Sequence, residues 1–332
     1  MASVSTPDAP AYHRLAREPA LRRSPYRPWK PALEIVMALV LFVVIQLIYA
    51  LCFFALSAGS GLNLGVLEDL IFGDPATTTP LSMLYFYGAL ALSGLSAFIA
   101  ARLAGRRPAA LLSVEGRLRG RPLRVSLLWI FLPAAACMLI DALVNGVPAP
   151  LTATFWMCVV LSLALVPFQS AAEELIFRGS LVQSIGAWAR SPWITYGAPL
   201  PIFIAGHLYD FAGLTSVAVF AALASLLVHR TGGLEAAIVL HTTNNLVISF
   251  AEFSGLAGLP EDNNRLLVPA LAVFLQYAGA VAALVVLRDY APAKPSPPPG
   301  WFPGPGWHSG WPQVELPPDA AHLSRGTHAN NP

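Results

Sequence analysis

Long apolar runs recur along this chain, and their lengths suit helices that cross a bilayer. A hydrocarbon core of about 30 Å is spanned by ~20 consecutive apolar residues at about 1.5 Å of rise each. Eight stretches meet or approach that length: about 33–57, 81–103, 125–144, 152–179, 195–210, 212–229, 234–251 and 266–287. The fifth and sixth are short and separated by little more than Tyr209-Asp210-Phe211, which predicts a tight helical hairpin. The pattern predicts an all-α fold, a polytopic integral membrane bundle of about eight transmembrane helices. It divides the chain into a basic N-terminal arm (1–32), N-terminal transmembrane helices (33–150), a transmembrane core (151–290) and a Pro/Trp-rich tail (291–332).

Composition agrees with the pattern. The 332 residues are 56% hydrophobic and 11% charged, against roughly 25% charged in a soluble domain, and the mean hydropathy is +0.61. The first 30 residues are polar and basic, and the apolar run after them is too long for a signal-peptide core. From Ala291 onward, 11 of 42 residues are proline, a composition that cannot pack a core and predicts a disordered tail. Cys52, Cys137 and Cys158 all fall within spans, form no CxxC pair, and read as packing residues.

Charge then sets an expected orientation. With the N-terminus in the cytoplasm, 19 of the 20 basic residues lie inside and only Arg265 lies outside. The loop 58–80 holds Glu68, Asp69 and Asp74 without a basic residue. This asymmetry follows the positive-inside rule and predicts both termini cytoplasmic. The net charge of +2 therefore carries no nucleic-acid signal; the basic residues are topology determinants beside anionic lipid headgroups. The bias of 18 Arg to 2 Lys, with abundant Ala and Pro, points to a GC-rich bacterial genome and hence to a bacterial plasma (inner) membrane.

Ionisable side chains at membrane depth are functional candidates, and three clusters qualify. They are Glu173, Glu174 and Arg178 in EELIFR; His207 in FIAGH; and His241 with Asn245 in HTTNN. Glu174 and Arg178 are i, i+4 neighbours and can pair, with Arg178 free to snorkel towards the cytoplasmic interface. Glu173 is rotated about 100° away and points elsewhere. If Arg178 marks the interface, Glu173 lies about 7.5 Å deeper and His241 about 10 Å in from Leu234. His207 reaches that layer only if its span breaks near Pro201, which GAPLP permits. Asp210 either orients His207 or ends its helix.

A glutamate, two histidines and an asparagine suit hydrolysis of a peptide bond. Glu173 is the candidate general base for water, with His207 sharing in its positioning. His241 and Asn245 are candidate donors to the oxyanion. Alternatively Glu173, His207 and His241 bind zinc and activate its water, although HExxH is missing.

In this order, EExxxR, FxxxH and HxxxN on hydrophobic spans resemble the CPBP family. These are the CAAX-protease and bacteriocin-processing intramembrane proteases, including type II CAAX prenyl endopeptidases. The resemblance covers roughly residues 150 to 250. It implies that Glu173 is the catalytic glutamate, Glu174 its adjacent partner and Arg178 the close of the first motif. His207 and His241 then match the two essential histidines, and Asn245 the asparagine of the third motif. The implied activity is endoproteolysis of a membrane-associated protein or peptide near the cytoplasmic face, by a glutamate- or metal-activated water. It does not imply a prenylated substrate, since the family is broader than that activity. The competing expectation is a non-proteolytic immunity or scaffold protein that keeps the fold. A proton-coupled transporter is a third, without an inverted repeat to support it.

Overall fold

A computed structural model describes residues 10–59, 79–207, 209–260 and 262–290. The acidic loop 58–80 falls almost wholly outside these residues, as does the Pro/Trp-rich tail.

Among the described residues the chain is helical with no named strand. Helix α1 is Lys30–Gly59 and α2 is Pro80–Leu103. Helix α3 runs through Gly120–Asn145 and α4 through Ala153–Trp188. Two short helices follow, α5 (Pro192–Gly197) and α6 (Pro199–Ala205). Then come α7 (Phe211–Thr231), α8 (Glu235–Phe253) and α9 (Leu267–Val286). The starts are set by local chemistry. Thr79 and Ser82 form a reciprocal capping box for α2, and the side chains of Thr152 and Asp210 cap α4 and α7. Each supplies an acceptor to backbone N–H groups that the first turn leaves unpaired.

Among the described residues six helices are long and apolar enough to span a membrane, against eight stretches in the sequence pattern. The fifth stretch is broken at Ala198 into α5 and α6, because Pro199 and Pro201 remove backbone donors. The seventh is a helix, α8, outside the six because His241, Thr242, Thr243, Asn244 and Asn245 dilute its apolar character. It packs against α4, α7 and α9 and takes the centre of the bundle.

Lipid tails are as apolar as leucine, so these helices associate through close packing. On α2 the buried face is Gly88, Ala89, Ser93, Gly94, Ser96, Ala97, Ala100 and Ala101. This small-residue face lets α1 and α4 approach closely. Leu47, Leu51 and Leu56 of α1 stay exposed, as a lipid-facing helix requires. Within α3, residues Leu127–Phe131 form a π-turn just ahead of Pro133. Proline at 133 cannot bond the carbonyl of residue 129. Gly279 of α9 lies against that Trp129 carbonyl, where a Cβ would collide.

The basic arm is a packed part of the fold. Helix α4 has 36 residues, about 54 Å at helical rise, well beyond the hydrocarbon core, so one end must protrude. The arm's turn Tyr12–Arg17 packs on the last part of α4. There Arg14 Nη1 donates to the carbonyls of Gly186 (2.6 Å) and Ala189 (3.1 Å), and Arg17 Nε to Ala187 (2.6 Å). These arginines satisfy carbonyls that a helix C-terminus leaves orphaned. Gly186 is required because the His13 carbonyl occupies the place a Cβ would take. Gly186→Ala should lift the arm, an overpacking of about 1–3 kcal/mol. Tryptic cleavage after Arg14 in the folded protein should rise about tenfold; unchanged protection would show that the arm is held some other way.

Candidate active site

Glu173 and Glu174 end the α-helical part of α4, directly before a second π-turn, Leu175–Leu181, which carries Arg178. Arg178 Nη1 donates to Glu174 Oε1 at 3.1 Å, and Nη2 to the Ala221 carbonyl of α7 at 3.3 Å. Its guanidinium lies 4.2 Å from the centre of the Phe203 ring. Arg178 is 1% exposed. The expected snorkelling is therefore not what this side chain does; it turns inward because a carboxylate, a carbonyl and a ring face receive it there.

Glu174 is fully buried and holds a second partner: Oε1 accepts from His241 Nδ1 at 2.9 Å. A carboxylate can only accept, so Nδ1 carries the proton and the neutral ring keeps its lone pair on Nε2. That Nε2 faces Glu173 Oε2 at 3.7 Å, beyond direct hydrogen-bond range. Phe203 and Phe220 wall the imidazole, with ring centroids at 6.2 and 4.9 Å.

Of the two carboxylates, only Glu173 keeps part of its side chain, 15%, open. Gln169 Nε2 donates to Glu173 Oε1 at 2.6 Å, while Gln169 Oε1 accepts from Asn245 Nδ2 at 2.9 Å. Gln169 thus joins Glu173 to the α8 asparagine. Sequence reasoning missed it because an uncharged amide in an apolar run does not stand out. The available signal was that it is the one carboxamide between 153 and 172, four residues before Glu173. Gln169→Leu keeps the volume and cuts the link. We expect catalytic efficiency to fall about tenfold, the effect of one lost buried hydrogen bond to a charged group, with folding retained; unaltered kinetics would remove Gln169 from the site.

His207 follows α6 and is half-buried, with Nδ1 at 2.8 Å from the Phe203 carbonyl. A carbonyl only accepts, so in the neutral ring Nε2 is again the acceptor. Its ring packs on Phe203 at 4.8 Å, so Phe203 touches both histidines. Glu173, Glu174, Arg178 and His241 therefore form one contact cluster, Asn245 joins it through Gln169, and His207 joins it through Phe203. Asp210 accepts from the Gly213 amide as the N-cap of α7; it starts the next helix, whereas α6 already ends at Ala205 and His207 Nδ1 is held by the Phe203 carbonyl. The zinc alternative can be tested on the donors. Among the described residues no group of three His, Cys, Asp or Glu side chains comes together to hold a metal ion. His207 and His241 each direct Nδ1 to an oxygen acceptor and leave Nε2 free, an arrangement that a metal-bound imidazole also adopts.

Residues 152–247 match the family model described as type II CAAX prenyl endopeptidase, Rce1-like. This segment is a CAAX-protease (CPBP) family domain. The match contains all six candidate residues and Gln169. No curated protein and no solved structure matches the chain. The matched segment begins at α4 and ends within α8, the two helices that carry the carboxylates, His241 and Asn245.

Proposed function

We propose that this chain is an intramembrane endopeptidase that cleaves a membrane-associated protein or peptide near the cytoplasmic face. The observation carrying this reading is the partly open Glu173 carboxylate beside an imidazole anchored by Glu174, inside the CAAX-protease segment.

Glu173 takes a proton from water, and the hydroxide oxygen attacks the scissile carbonyl carbon. The oxyanion accepts hydrogen bonds from the Asn245 amide and from His241 Nε2, which donates when the ring is protonated. Glu174 and Arg178 hold that ring in place. Protonated Glu173 then passes its proton to the departing amine as the C–N bond breaks. His207, its Nδ1 committed to the Phe203 carbonyl, accepts a hydrogen bond from the water through Nε2 and orients it.

The test is to map new protein N-termini in membranes of cells carrying either the intact chain or Glu173→Gln. A prenylated and an unprenylated peptide, each assayed with purified protein, would then define the substrate. Identical sets of termini in the two membranes would overturn the reading in favour of a non-proteolytic role.

A further inference from the structure

The docked arm also closes a small cleft against α1 and α2. Ala16, Arg22, Tyr26, Lys30, Glu34 and Arg106 line it, around a space of about 10 Å³, room for a single oxygen-sized atom. Three cations thus face one carboxylate. That carboxylate is already neutralised: Glu34, fully buried, accepts from Arg106 Nη1 at 2.7 and 2.8 Å and from Ser180 Oγ at 2.9 Å. Arg106 Nη2 donates to Gln183.

Arg22 has no such partner. It is 4% exposed, and its Nε and Nη1 donate only to the carbonyls of Ser24 (2.9 Å) and Ala16 (3.1 Å). Its Nη2 finds no hydrogen-bond partner among the described residues, nor do Arg106 Nε and the Tyr26 hydroxyl. Burial, with Arg106 facing it, pulls the Arg22 pKa down to about 10, so the group remains charged at neutral pH. Buried charges are ordinarily paired; this guanidinium faces another one, across a space with three unpartnered donors around it.

The position indicates the source of the missing anion. The cleft sits where α1 begins at Lys30 and where α2 ends at Leu103. Trp29 and Trp188 are exposed beside it, and Trp188 Nε1 donates to the Pro28 carbonyl at 2.8 Å. Exposed tryptophan next to a helix end marks the headgroup level. We propose that the cleft binds a phosphate group, one oxygen seated between Arg22 and Arg106, and that this is the headgroup phosphate of an anionic phospholipid. Lys30 and the Tyr26 hydroxyl complete the donor set. The lipid thereby locks the arm to the membrane helices.

Full-length protein in phosphatidylcholine nanodiscs should rise in thermal midpoint by about 2–4 °C when phosphatidylglycerol is included. Arg22→Gln should erase the rise, and Arg23→Gln, at an exposed neighbour, should keep it. Should Arg22→Gln fail to fold, Lys30→Gln, half-buried at the rim, should at least halve it. A parallel titration with inorganic phosphate in pure phosphatidylcholine separates the sources. A gain from phosphate equal to that from the lipid, and lost in Arg22→Gln, would support the phosphate chemistry and overturn the lipid assignment. Gains from both that ignore Arg22 and Lys30, or no gain from either, would overturn the site.

Discussion

Glu173→Gln should lower peptide cleavage by roughly 10²–10⁴-fold, the usual worth of a general base, and leave the thermal midpoint in place. The amide keeps the shape of the carboxylate and can still accept from Gln169 Nε2. It cannot take a proton from water. The side chain is partly open, so the change leaves no uncompensated charge in the bundle. Loss of rate with retained folding is therefore the expected pair of observations. A variant with full activity would move the base to another residue, and one that unfolded would give Glu173 a structural role. The contrast with Glu174→Gln is informative, because Glu174 binds both Arg178 and His241 and its change should disturb folding and rate together.

Arg178→Ala should be the most destabilising substitution in the site, by about 3–5 kcal/mol, because breaking a buried pair strands the remaining charge. The midpoint should drop by roughly 6–20 °C in a protein of this size, read from tryptophan fluorescence in detergent. Glu174 would then be a fully buried carboxylate with only His241 beside it. The loss also removes the guanidinium from the Phe203 face, 4.2 Å away, and the bond to the Ala221 carbonyl that ties α4 to α7. The double change Glu174→Leu with Arg178→Leu should recover much of the stability and none of the activity, since apolar groups can replace a buried pair but cannot hold His241 Nδ1. A small drop for Arg178→Ala, under about 1 kcal/mol and typical of exposed pairs, would overturn the buried assignment.

How much of this was legible in the sequence depends on what kind of contact a residue makes. The pairing of Glu174 with Arg178 was readable, because both sit four apart on one helix and geometry within a helix is local. The contact of Glu174 with His241 was not readable, since it joins residues 67 positions apart across two helices. The same limit hid the bond from Asn245 to Gln169. Apolar length revealed the long helices but overstated 195–210, where the hydrophobic run continues across prolines that break it into α5 and α6. It also concealed that α8 is central rather than lipid-facing, because hydropathy along a run does not say which neighbours surround it. The basic residues of the arm read as topology determinants beside lipid headgroups; two of its arginines, Arg14 and Arg17, instead reach helix-end carbonyls that only the folded α4 presents.

That arm has a consequence for the order in which the molecule is made. Residues 12–17 leave the ribosome about 170 residues ahead of the surface they cover, near 186–189. At about 5–20 residues per second, the arm waits roughly 10–35 s for its partner. Until then α1 and α2 are inserted without the clasp that later joins them to α4. The first helices therefore remain free to rearrange during synthesis, and the bundle closes only when the end of α4 emerges.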